Sequence, residues 1–368
     1  MSLENKIMKV VDMHCDTIYE LLSLKEQGKP EELRQNNCHL DLLRMRDSHY
    51  LLQNFALFVE LDRDGDPWER VCSLHEYYQA ELERNRDMIA PVLSYEDIAA
   101  NEKAGKLSAM LTVEEGAVCK GDVNKLHKLY DMGVRMITLT WNFPNEIGFP
   151  NFSRELQEKA EAARKAWEEC ETGTMEYERK RSEAQAAFEV FNRTCNTVNG
   201  LTHKGKEMVA EMERLGIIPD VSHLSDAGFY DVLSVTKKPF VASHSNARSV
   251  CPCVRNMTDD MIRKLAERGG VMGLNYCADF LEEKPVGTKN PGTIEAVARH
   301  AKYIANVGGI GILGLGSDFD GISTHQEIPG AQGMEALWDG LHKAGFGEDE
   351  LDKIFCQNVL RVYKDTLG

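Results

Sequence analysis

Eight short apolar runs, at 10–16, 55–60, 109–114, 136–141, 217–223, 240–244, 271–276 and 312–318, recur along this chain, with helix-length amphipathic stretches between most of them. Strands that alternate with helices pair in parallel, because each helical crossover carries the chain back to start the next strand from the same end. Eight such units predict an α/β fold of the (β/α)₈ TIM-barrel type, whose active site is assembled from side chains at the carboxyl ends of its strands. His14, Asp16, Glu114, His223, His244 and Asp318 all fall at such ends.

A chain of 368 residues has room for two domains, but the eight units consume nearly all of it, so one domain over 1–368 is expected. The 43 basic residues against 59 acidic ones give a net charge of −16, which disfavours nucleic acid or an anionic membrane as a partner. No stretch approaches the length of a transmembrane helix, and the first strand begins near Val10, leaving little room for a secretory signal, so a cytoplasmic location is expected. The ten cysteines follow no repeating framework and read as reduced thiols. Cys251-Pro252-Cys253 lacks a second pair at zinc-site spacing and reads as a turn.

The segment 151–200, after the fourth run, is far longer than an ordinary barrel loop and rich in Glu, Lys, Arg and Ala. Leu156, Ala160, Ala163, Trp167 and Cys170 follow steps of three and four, as do Ala184, Phe188, Phe191 and Cys195, with Gly173 between the two stripes. A helical hairpin inserted in the barrel is therefore predicted. Packing on the barrel wall or a contact in a homodimer is its expected role, with a roof over the active site as the alternative.

His14 and Asp16 stand two apart on a strand and so share a face. His223 and His244 each close a β-branched run, where a buried imidazole needs partners, and Glu114 closes the apolar run 109–113, where a carboxylate is costly without a positive neighbour. Each acid alone could be a helix N-cap. Six chance occurrences at strand ends are improbable, and two histidine sets joined by one carboxylate suit a dinuclear zinc site, with manganese or iron as alternatives. Asp320 lies two residues beyond Asp318, and one of the two is expected behind the metal ligands.

These residues resemble the membrane dipeptidase (renal dipeptidase) family, peptidase family M19, within the amidohydrolase-like metallo-barrels. The motifs that carry the resemblance are Asp12-Met13-His14-Cys15-Asp16-Thr17, Val113-Glu114 with Gly116, Leu139-Thr140, Asp220-Val221-Ser222-His223-Leu224-Ser225, Ser243-His244-Ser245, Arg255-Asn256 and Gly316-Ser317-Asp318-Phe319-Asp320-Gly321. The resemblance implies two Zn²⁺ per chain: His14 and Asp16 on one, His223 and His244 on the other, Glu114 bridging them, and Asp318 beside the first as proton shuttle. It implies that Arg255, which read alone is a surface ion pair, grips the substrate carboxylate, and that Tyr276 is a pocket tyrosine. Where the anchored animal members carry a histidine after Leu-Thr, this chain has Trp141, followed by Asn142, a form similar to the bacterial branch; Asn142 then becomes a candidate for stabilising the reaction intermediate. Glu115 and Ala117 replace a glycine and a histidine and are not ligands by this match.

The chemistry so implied is attack of a metal-bridging hydroxide on the peptide bond of free dipeptides, including those with a D-residue at the carboxyl end. Asp318 would relay the proton to the leaving amine. Another metallohydrolase of the superfamily (a lactonase, N-acyl amino acid hydrolase or phosphoesterase) and a catalytically inactive barrel are the alternatives. The absence of a lysine from 135–142, where many such sites carry a carboxylated bridging lysine, favours the dipeptidase.

Overall fold

Runs of Val, Ile, Leu and Met with no polar face are stable as strands only when both faces are covered, the situation of a parallel sheet under helices. In the computed structural model, which describes residues 8–367 and leaves residues 1–7 and 368 of the expected barrel outside the described residues, nine strands form: β1 (Val10–Asp12), β2 (Tyr50–Phe58), β3 (Ile89–Pro91), β4 (Leu107–Glu114), β5 (Val134–Thr138), β6 (Ile218–Asp220), β7 (Val241–Ala242), β8 (Val271–Leu274) and β9 (Leu313–Leu315). Every residue of β2 and β4 is buried.

The strands pair in the order β2-β1-β9-β8-β7-β6-β5-β4, and β2 pairs with β4 to close eight of them into a parallel barrel. The ninth, β3, lies outside this ring. It pairs with Leu107, Ser108 and Ala109 at the start of β4, and β5 takes over that edge of β4 from Leu111 onward. Its three residues, one of them a proline, carry no alternation that sequence reasoning could detect.

The amino-terminal end of the barrel is plugged. Val359, Val362 and Tyr363, on the helix Asn358–Leu367, pack in one cluster with Val11, Met110, Met136, Ile218, Val241 and Val271 from the early part of the strands. Each side chain so buried contributes roughly 1.5–3 kcal/mol. Tyr363 also donates to Asn54 Oδ1 (2.9 Å), so its hydroxyl is satisfied inside the barrel. The carboxyl ends of the strands open to a cavity of about 480 Å³.

The segment 151–200 holds two helices, Arg154–Glu168 and Met175–Arg193, which pack on each other. Ser153 and Thr174 cap them by accepting from Leu156 N and Tyr177 N. Ala160, Trp167 and Ala184 are buried between the helices and the loop after β8, with Gln185 accepting from Val286 N and Arg193 paired with Glu283 (2.9 Å). The hairpin thus lies over the mouth side of the barrel rather than along its outer wall. Among the described residues no disulfide forms, and no helix is long and apolar enough to cross a membrane.

Candidate active site

Glu114, the last residue of β4, stands at the centre of the mouth, buried. Its Oε2 lies 3.4 Å from His14 Nε2, while its Oε1 lies 3.1 Å from His223 Nε2 and 3.6 Å from His244 Nε2. His14 Nε2 is also 3.4 Å from Asp16 Oδ2 and 3.9 Å from Asp318 Oδ1. His14–Glu114–His244 and His14–Asp16–Asp318 each bring three ligand-type atoms within 4.8 Å of one another. The structure therefore gathers all six residues expected at the strand ends.

The tautomers of two imidazoles follow from their neighbours. Ser243 Oγ donates to Asp220 Oδ2 (2.5 Å), so it accepts from His244 Nδ1 (2.7 Å), which must carry the proton. Asn142 Oδ1 can only accept, so His223 Nδ1 donates to it (3.0 Å). Both Nε2 atoms then carry lone pairs, 3.1 Å apart, and both face Glu114 Oε1. Three lone-pair atoms converging in a buried site repel one another unless a proton or a metal cation lies among them. His14 Nε2 and Asp16 Oδ1 are likewise buried with no hydrogen-bond partner. The donor set, imidazole and carboxylate, fits a metal centre.

The charges respond to this crowding. Burial pushes the Glu114 carboxyl up to about 8, with the nearby His14 acting against it. Burial alone would lower His14, but the carboxylates of Glu114 and Asp16 outweigh it and raise His14 well above its ordinary range. Burial, with Arg255 and His14 adding to it, holds His223 and His244 well below the ordinary histidine range, so both stay neutral, the form that ligates. Burial raises the Asp318 carboxyl.

Backbone geometry aims two of these side chains. His223 and Asp318 adopt φ of 67° and 63°, the left-handed region that is uncommon outside glycine and clusters at functional sites. Asp318 N donates to His14 O (3.2 Å), and Ser317 N donates to Asp12 Oδ1 (2.9 Å), which fixes the turn. Asn275 Nδ2 donates to Asp318 Oδ2 (2.9 Å), leaving Oδ1 toward His14. Asp320 turns away from this centre, accepting from Thr17 Oγ1 and His39 N (2.6 Å each).

A cavity of about 480 Å³ opens above the cluster. Asp16, Glu114, Asn142, His223, Arg255 and Asp318 reach its wall, and Tyr19, Phe58, Trp141, Phe152, Phe191 and Phe280 supply an aromatic lining. Arg255 is only 8% exposed, its guanidinium lies over the Phe280 ring, and its Nη2 has no partner, so it is no surface ion pair. Burial depresses its pKa, with Asp318 and Glu114 opposing that. Tyr276 does not reach the cavity. It is fully buried, packed against Phe319 at 5.8 Å, with its hydroxyl unpartnered. Its neighbour Asn275 takes the inward face, and alternation along an extended chain sends residue 276 the other way.

The model of the membrane dipeptidase family (peptidase family M19) matches residues 4–164 and 172–367. The chain belongs to that family. It is a metallopeptidase, a hydrolase, on a closed eight-stranded parallel barrel. Relatives include a protein of Klebsiella pneumoniae encoded in a pqqA 5′ region, 28% identical, covering 82% of this chain and 98% of its own, and a dipeptidase of Schizosaccharomyces pombe, 29% identical, covering 98% and 81%. Two solved structures share the fold over 98% of this chain and 99% of theirs: the metallopeptidase dipeptidase AC (TM-score 0.81, 24% identity) and a Rhodobacter sphaeroides metallopeptidase bound to a phosphinate mimic of L-Ala-D-Ala (TM-score 0.79, 23% identity). The break in the family match, 165–171, falls at the tip of the helical hairpin.

Residues that sequence reasoning left without a role complete the site. Asp220 accepts from Thr138 Oγ1, Ser243 Oγ, Ser222 N and Ser243 N and so orients His244 through Ser243. Glu115 accepts from Trp141 N (3.0 Å) and Asn145 Nδ2 (2.5 Å) and so holds the loop that carries Asn142. The Asp220-x-Ser222 spacing was the one local sign of the first network. Nothing local signals the second.

Proposed function

We propose that this barrel, with its insertion as part of one domain, is a dizinc dipeptidase that hydrolyses free dipeptides, including those with a D-residue at the carboxyl end. The observation that carries the reading is the division of Glu114 between two imidazole sets, with the lone pairs of His223 and His244 fixed toward Oε1 and the unpartnered His14 Nε2 beside Oε2. In this reading His14 and Asp16 would hold one zinc and His223 and His244 the other, with Glu114 shared between the two sets and Asp318 beside the first. Such ions supply water activated to hydroxide near neutral pH and polarisation of the peptide carbonyl.

The protein's own groups do the rest. Asp318, anchored through Oδ2 by Asn275, presents Oδ1 to the centre; it takes the proton from the attacking water and returns it to the leaving amine. Arg255, with its Nη2 unpartnered at the cavity wall, binds the substrate carboxylate through parallel N–H bonds. A chain longer than a dipeptide would extend past that grip into the wall, so short substrates are selected. Asn142 holds the His223 ring through its Oδ1 and lines the cavity, so in this reading its Nδ2 is the donor that meets the reaction intermediate. Trp141 packs against Phe58 at 4.9 Å and closes the aromatic side of the cavity.

The bound L-Ala-D-Ala mimic in the Rhodobacter sphaeroides relative supports acceptance of a D-residue. A mass-spectrometric hydrolysis screen of zinc-loaded protein against dipeptides with L- and D-residues at the carboxyl end tests the reading. Cleavage of both classes is expected. Silence from protein carrying two metals, with cleavage of lactones, phosphoesters or N-acyl amino acids instead, would overturn it.

A further inference from the structure

The helical insertion leaves and rejoins the barrel beside Arg255, and both of its ends hold the residue before that arginine. Asn151 Nδ2, at its start, donates to Val254 O (3.1 Å), and Val254 N donates to Asn192 O (2.8 Å), at its end. Asn151 is itself locked in place. Its Oδ1 accepts from Asn196 N (2.9 Å), and its Nδ2 reaches Asp226 Oδ1 (2.7 Å). Asp226 pairs in a two-pronged contact with Arg248 (2.7 and 2.8 Å), whose Nε donates to Asn256 O (2.7 Å), on the other side of Arg255. Arg255 is thus flanked on both sides by residues tied into one network that includes the insertion.

The insertion also reaches the cavity with two side chains, Phe152 and Phe191, the latter a stripe residue that borders both the space beside Ala160 and Ala184 and the active-site wall. Ala160, Trp167 and Ala184 are buried away from that wall. Phe152 and Phe191 stand half-buried on it, edge to face at 5.3 Å and 87°. A packing or dimer contact does not need the bonds to Val254.

We propose that the insertion is the specificity element for the carboxyl-terminal residue of the substrate: Phe152 and Phe191 form the pocket for its side chain, and Asn151 with the Asn192 carbonyl positions Arg255 for its carboxylate. The inference rests on the dipeptidase reading. The side chain of that residue branches one bond from the carboxylate that Arg255 grips, so it lies against whatever wall adjoins Arg255. Two phenyl rings favour an apolar side chain there and leave a charged one desolvated without a partner.

The test uses zinc-loaded full-length protein and two dipeptide series. One keeps L-Ala at the amino end and varies the carboxyl end through Gly, L-Ala, L-Leu and L-Phe; the other varies the amino end before L-Ala. Phe191→Ala should raise KM for L-Ala-L-Leu and L-Ala-L-Phe by roughly tenfold while leaving L-Ala-Gly within about twofold. Phe191→Trp should narrow the pocket and disfavour L-Ala-L-Phe most. Asn151→Ala should raise KM across both series with kcat nearly kept, a split that loss of fold would not produce. An effect of Phe191→Ala that follows the amino-terminal residue, or that falls equally on all substrates, would overturn the proposal. If wild-type protein cleaves neither series, the dipeptidase reading fails first. The pocket is then judged by calorimetric binding of L-Ala-L-Phe and L-Ala-Gly to wild type and Phe191→Ala, where equal loss for both overturns it.

Discussion

Gly321→Ala is expected to disable the site through a single methyl group. A Cβ at 321 would overlap Asp16 Oδ2 and sit 2.6 Å from Asp318 Oδ1, whereas ordinary contact begins near 3.4 Å. The backbone there is not in the left-handed region, so alanine is compatible with it and the collision alone decides the outcome. Both carboxylates must retreat by roughly 1 Å, and a misplacement of that size costs on the order of 10²-fold in rate, or about 3 kcal/mol of barrier. Gly311→Ala is the control, because a Cβ there meets nothing within 4 Å. Metal content after dialysis at fixed free zinc, and kcat/KM on L-Ala-D-Ala, are the readouts. Gly321→Ala should lose zinc or turnover by about 10²-fold while Gly311→Ala matches wild type. A Gly321→Ala protein with two metals and wild-type kcat/KM would refute the placement of Asp16 and Asp318 at the metal centre.

Further expectations concern single groups. Asp318→Asn should lower kcat by about 10²–10⁴-fold with zinc retained; turnover near wild type would remove Asp318 from proton transfer. Arg255→Ala should weaken kcat/KM by about 10–100-fold, the worth of a charged hydrogen-bonded grip, and Arg255→Lys should recover little of it; unchanged kinetics would place the carboxylate elsewhere. His300 accepts from Ala247 N and its Nε2 meets Leu281 O, and burial lowers its pKa to about 4. Because the unfolded chain titrates near 6.5, this group's stabilisation is present above that pH and is lost as pH falls toward 4, by roughly 3 kcal/mol. Urea unfolding of wild type and His300→Gln between pH 7.5 and 4.5 checks this, and parallel pH dependence in the two would contradict it.

The barrel was legible because its signals are local. Most strands contain an apolar run, though β2 is broken by Gln53 and Asn54 and β5 by Arg135, and each candidate ligand stands at a run's end, so run pattern and position placed His14, Asp16, Glu114, His223, His244 and Asp318 at one mouth. What sequence reasoning could not read depends on contacts between distant segments. Asn275 acquires its role from Asp318, 43 positions away, and Asp220 orients His244 only through Ser243, across the pairing of β6 with β7. Tyr276, which the resemblance implied as a pocket tyrosine, packs against Phe319 and does not line the cavity, a placement set by contacts with a distant segment. The insertion's helices were written in their three- and four-residue steps, but its position was not, because the bonds of Asn151 and Asn192 to Val254 span 103 and 62 positions.

Hydrolysis of L-Ala-D-Ala measured against zinc bound per chain, starting from chelator-stripped protein, tests the central claim most directly. The account predicts negligible turnover without metal and a rise that reaches its maximum only when two zinc ions are bound, with Glu114→Gln unable to reach it. Full turnover with one ion per chain, or turnover that persists in stripped protein, would contradict the two-metal centre built around Glu114.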